Sequence, residues 1–186
     1  MSATGGVRAF VALELDARLR EAIGELQTRL RPRCGGIRMT RADGVHLTLR
    51  FLGDTSPAQI DTLRPLLAAA AATCPPAEAR VAEVGTFPER GSPRVLWLGL
   101  DVPSAVFDLQ RACERAARAA GFESEERPFR AHLTLGRWRD RAPRPDLPPA
   151  DLGSTRLETL VLFRSELRPD GAVYSPLARF ALGRPE

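Results

Sequence analysis

The chain has only two histidines, and both stand in the same tetrapeptide, His46-Leu47-Thr48-Leu49 and His132-Leu133-Thr134-Leu135. At ordinary residue frequencies a second histidine would acquire that context by accident with a chance on the order of one in a thousand. The two copies are 86 residues apart, and their surroundings repeat with them: Arg8 precedes His46 by 38 residues, and Arg94 precedes His132 by the same 38. Each unit, residues 8–53 and residues 94–137, reads strand, helix, loop, strand. Neither unit can bury both faces of its own elements. The duplication therefore predicts one bilobal domain over residues 1–186, two small sheets related by an approximate two-fold axis and backed by helices.

The remaining elements follow from hydrophobic period and punctuation. Residues 8–13 and 45–52 read as strands, as do 79–84, 94–100 and 130–135. Asp16 is placed to cap a helix over residues 17–30, whose apolar stripe is Leu19, Ile23, Leu26 and Leu30. Ser56-Pro57 opens a second helix over 58–72, and residues 103–120 form a third, ended by Gly121. Residues 86–93 and the proline-rich 141–153 read as loops, and strands over 157–163 and 174–182 close the sheets.

The repeated motif carries chemistry. Side chains alternate along a strand, so His46 and Thr48 share one face while Leu47 and Leu49 anchor the other. A two-fold relation then sets two imidazoles on opposite sides of one substrate atom, with two hydroxyls between them. That arrangement suits in-line displacement at phosphorus, with a base on one side activating water and an acid on the other protonating the leaving oxygen. Histidine alone has an unperturbed pKa that lets one copy be neutral and the other charged near pH 7. Thr48 and Thr134 are placed to donate to the non-bridging oxygens. A lone histidine in an apolar strand is ordinarily a packed core residue, but two in register within a repeat reverse that expectation. Two histidines without a suitably spaced carboxylate or cysteine fall short of a metal site, so no metal and no cofactor is expected.

Composition sets the outer bounds. Hydrophobic residues make up 44% and charged residues 27%, the balance of an ordinary globular domain. No apolar run approaches the roughly 20 residues that span a bilayer. Residues 1–6 lack the basic-then-apolar pattern of a secretory leader, and the expected location is the cytoplasm. The cysteines, Cys34, Cys74 and Cys113, are odd in number and widely spaced, which argues against a disulfide framework. All 27 basic residues are arginine, the net charge is +4 and the pI is near 9.7. A GC-rich genome accounts for part of that usage, yet arginine grips phosphate bidentately and stacks on bases.

At this point the chain resembles the 2H phosphoesterase superfamily, whose mark is a pair of H-x-T-x motifs. Within it the chain looks like the RNA 2′,3′-cyclic phosphodiesterases, historically called 2′-5′ RNA ligases. The resemblance rests on Arg8-Ala9-Phe10-Val11-Ala12, on His46 through Gly53, on Pro93 through Trp97, on Arg127 through Leu135 and on Tyr174 through Phe180. One departure is Ala131, where the family commonly has proline. The resemblance implies an α+β bilobal fold, two mainly antiparallel sheets with helices outside and a central groove. It also implies hydrolysis of a terminal 2′,3′-cyclic phosphate to a 2′-phosphate, with reversible 2′-5′ ligation as a secondary activity. By the same resemblance His46 is the proton donor and His132 the acceptor.

Four further residues are candidates for binding substrate. Arg130 shares the face of His132, Arg137 resembles a family arginine near the substrate, and Arg50 shares the parity of His46 and Thr48. Phe10 is a candidate for stacking a base, as are Phe87 and Trp97. The expected partners are RNA ends or nucleoside 2′,3′-cyclic phosphates, with no membrane, and the chain is expected to be a monomer. Two alternatives remain. One is a 2H phosphoesterase acting on another small cyclic phosphate or a 2′-5′ oligonucleotide, and the other is a non-catalytic RNA-end-binding module.

Overall fold

The structure, a computed structural model, describes residues 6–168 and 171–183. The N-terminal segment read above for a leader lies outside them, except for Gly6. Among the described residues the elements run β1 (Val7–Leu13), α1 (Ala17–Leu30), β2 (Ile37–Met39), β3 (Leu47–Thr55), α2 (Pro57–Thr73), β4 (Ala77–Phe87) and β5 (Val95–Asp101). They continue with α3 (Ser104–Ala119), β6 (His132–Trp138), β7 (Asp151–Leu157), β8 (Thr159–Arg168) and β9 (Gly171–Ala181).

Capping explains where the helices start. The Asp16 carboxylate accepts from the Leu19 N–H at 2.7 Å and, through its other oxygen, from the Thr155 hydroxyl. Ser56 and Gln59 form a reciprocal capping box at the start of α2. Beyond α3, Gly121 takes φ +88°, the left-handed conformation in which a Cβ is unfavourable.

All strands belong to one antiparallel sheet of order β7-β4-β5-β6-β3-β1-β8-β9, with β2 attached to β6. The sheet curls into a half-barrel, and it is built as two halves. One half, β3-β1-β8-β9, meets the other, β7-β4-β5-β6, through a single residue pair, Leu47 opposite Leu133. Leu47 and Leu133 are equivalent positions of the two motifs, so the repeated tetrapeptide pairs with its own copy at the centre of the sheet. The leucines of both motifs are fully or almost fully buried in the main core with α1, α2 and α3. Each contributes about 2 kcal/mol by leaving water.

Buried Gln27 on α1 ties the helix layer to this seam. Its side-chain amide donates to the Thr40 and Leu135 carbonyls, at 2.6 and 2.9 Å. The opposite face of the first half carries a separate small cluster, Phe10, Ala12, Val161 and Phe163, with Tyr174 packed against it.

Two strands escape a reading by pattern. β2 is only three residues long, and β7, Asp-Leu-Gly-Ser-Thr-Arg-Leu, has no apolar alternation. The proline-rich loop therefore ends at Ala150 rather than at Gly153. The strand placed near 79–84 extends to Phe87, which puts Phe87 on the sheet.

Candidate active site

Continuing the register from Leu47–Leu133 sets His46 beside Thr134 and Thr48 beside His132 on the groove face. The histidines then lie on a diagonal, with Cα atoms about 8 Å apart at ideal strand spacing. Each imidazole is fixed in the same way. His46 Nδ1 is 2.8 Å from the Gly44 carbonyl, and His132 Nδ1 is 2.7 Å from the Arg130 carbonyl, in both cases two residues upstream. A carbonyl only accepts, so Nδ1 carries the proton in both rings and Nε2 is left to exchange one.

Their surroundings differ. His46 sits among aromatic rings: Phe10 stacks on it at 4.5 Å between centroids, and Tyr174 presents its edge at 5.1 Å. Tyr174 in turn leans on Gly44, where a Cβ would stand 3.4 Å from its ring. Burial among these rings pushes the His46 pKa down from 6.5 to about 4, against the opposing pull of the Gly44 carbonyl. His132 is more open, with Phe87 edge-on at 5.2 Å. Its pKa is lowered too, first by desolvation and then by the nearby charges of Arg137 and Arg130.

The other sequence candidates divide. Arg137 is exposed and lines the same cavity as His46, Thr48 and Thr134. Arg130 lies over the Phe87 ring at 4.9 Å, pairs with Glu89 at 2.9 Å, and lines the hollow beside His132 with Phe87 and Trp97. Trp97 lies flat against Gly85, where a Cβ would be 2.2 Å from the indole, so only glycine fits there. Arg50 does not face the groove. The register with β1 shifts between Val11–Arg50 and Ala12–Thr48, leaving a bulge at Leu49 that reverses the parity of the strand. Arg50 is consequently buried, bonded to Glu114 on α3 at 2.5 Å and to the carbonyls of Phe51 and Glu123. Phe10 is not a base-stacking residue either. At 3% exposure its ring is spent on His46, Phe163 and Tyr174.

Two groove residues were missed. Phe51 takes the face that parity assigned to Arg50 and is 55% exposed in the cavity. Tyr174 is the only tyrosine of the chain, which was a signal that could have singled it out. The three cysteines are free and buried, and burial pushes the Cys113 thiol up to about 12, out of reach of nucleophilic chemistry. Among the described residues no three His, Cys, Asp or Glu side chains gather as a metal site, and no helix is long and apolar enough to cross a membrane.

Residues 13–97 match the family of LigT-like phosphoesterases. The RNA 2′,3′-cyclic phosphodiesterase of Methanothermobacter thermautotrophicus is 31% identical, covering 95% of this chain and 99% of that one. The enzyme of the same name from Thermus thermophilus is 33% identical, over 95% and 90% of the two chains. The crystal structure of Escherichia coli LigT complexed with 3′-AMP superposes with a TM-score of 0.84 at 28% identity, covering 96% of this chain and 99% of that one.

Proposed function

Because the chain belongs to the LigT-like phosphoesterases, we propose that it is an RNA 2′,3′-cyclic phosphodiesterase that opens the terminal cyclic phosphate to a 2′-phosphomonoester. The observation that carries this reading is the pair of motifs meeting at Leu47–Leu133, which sets two equivalently hydrogen-bonded imidazoles on one face with a threonine beside each.

In the proposed reaction His132 Nε2 takes a proton from water, and the resulting hydroxide attacks phosphorus. The bond from phosphorus to the 3′-oxygen breaks, and His46 Nε2 gives that oxygen its proton. The threonine hydroxyls and Arg137 meet the charge on the non-bridging oxygens. An RNA 5′-hydroxyl in place of water would give a 2′-5′ linkage by the same steps. No metal enters this scheme, because the two histidines supply both proton transfers.

The electrostatics distinguish the two imidazoles. Cationic neighbours help hold His132 neutral, as a base requires. His46 has no such neighbour among the causes of its shift: desolvation alone depresses it. A phosphodiester anion arriving beside it offsets that penalty and draws a proton onto Nε2. An imidazole that is otherwise reluctant to hold a proton is then a strong acid toward the leaving oxygen.

The test is incubation with adenosine 2′,3′-cyclic phosphate in excess chelator, followed by separation of the products. Conversion to adenosine 2′-phosphate is expected. Release of mainly 3′-phosphate would reverse the two roles. Loss of turnover on chelation, restored by one particular metal, would remove the two-histidine mechanism.

A further inference from the structure

The half of the groove beyond His46 is larger than a terminal cyclic phosphate requires. Its cavity is about 900 Å³, against about 480 Å³ for the hollow beside His132. Among the described residues six arginines line it, Arg8, Arg38, Arg41, Arg137, Arg139 and Arg168, and no carboxylate does, although Arg41 pairs with Asp43 and Arg168 with Glu166. The smaller hollow mixes Glu83 and Asp101 with Arg80 and Arg130. The field that attracts a polyanion is thus strongest on one side of the histidine pair.

Apolar surface gathers on that same side. Among the described residues four large hydrophobic side chains are exposed, and two of them, Phe51 at 55% and Leu167 at 72%, line this cavity. The sheet register brings them to one face. Phe51 stands opposite Phe10 on β1, and Phe10 opposite Phe163 on β8. Leu167 follows Phe163 at the strand period of two, through Ser165. Phe51 offers an exposed aromatic face for stacking a nucleobase, the guanidinium groups suit its phosphate, and Leu167 extends the apolar lining further along β8.

We propose that Phe51 and Leu167, with the arginines around them, form a subsite for the nucleotide that precedes the terminal one. The substrate class is then a single-stranded RNA oligonucleotide, preferred over a free nucleoside cyclic phosphate. The proposal rests on the phosphodiesterase reading for the placement of the RNA end, and its test reads binding rather than turnover.

Affinities of the intact protein are measured for a trinucleotide bearing a terminal 2′-phosphate and for the matching nucleoside 2′-phosphate. They are repeated with Phe51→Ser and Leu167→Ser, both changes at exposed positions. The trinucleotide is expected to bind at least about tenfold tighter, the scale of one base–aromatic stack. Its log–log salt slope should be steeper by about 0.7 for each additional phosphate neutralised. Both variants should cut the advantage to less than about threefold. Equal affinity for the two probes, or an advantage that survives both substitutions, overturns the subsite. Tight, Phe51-dependent binding by a protein that turns over no cyclic phosphate would sink the catalytic reading and leave the subsite standing.

Discussion

Replacing Phe10 with alanine opens His46 to water, and a chain with only two histidines lets the consequence be read directly. Phe10 is 3% exposed and stacks on the imidazole at 4.5 Å. Its ring covers one face of an imidazole whose burial takes the pKa from 6.5 to about 4. The whole depression corresponds to about 3 kcal/mol against the charged ring. Phe163 and Tyr174 remain beside His46 in the variant, so a partial upward recovery is expected.

The cavity costs about 3–5 kcal/mol of stability, and Phe10→Leu serves as a milder companion. The assay is NMR titration of the two imidazole resonances in wild type and both variants. A linked effect follows in stability. His46 binds a proton more readily unfolded than folded, so its contribution is complete above pH 6.5 and is lost as the pH falls toward about 4. The window narrows in Phe10→Ala. A wild-type His46 titrating near 6.5, or one that stays near 4 in both variants, would refute the argument.

Three other outcomes are expected. Because both histidines titrate below 6.5 in the empty protein, kcat/KM should be bell-shaped with its optimum on the acid side of that value, and an optimum above pH 7 would contradict it. Binding of a nucleoside 2′-phosphate near pH 7 should take up a proton, measured by calorimetry in buffers of different ionisation enthalpy; no uptake would contradict a donor that is charged only when the anion arrives. Arg50→Met leaves Glu114 without its buried partner and should cost about 3–5 kcal/mol in denaturant unfolding, with kcat/KM of the folded protein within about twofold; a large loss of activity without a loss of stability would return Arg50 to the groove.

What could be read from the chain alone follows from which signals are local. The histidine motifs stand out because one short strand occurs twice, and α1 because Asp16 and its apolar stripe mark it. Arg50 was misassigned because strand parity holds only without a bulge, and the bulge at Leu49 depends on pairing with β1, far away in sequence. The same event moved Phe51 into the cavity. Phe10 carries no local sign that a histidine 36 residues later will cover its ring, and β2 and β7 exist only because β6 and β4 offer them edges.

The central claim is that His46 and His132 act as one acid–base unit. Its most direct test is turnover of a 2′,3′-cyclic nucleotide by His46→Ala, His132→Ala and the double variant, with folding checked by circular dichroism. Each single substitution should lower kcat/KM by at least roughly 10²-fold. The double variant should be little worse than either, since groups that act as a unit do not contribute additively. Near-normal turnover by either single variant, or losses that simply multiply in the double, would contradict the account.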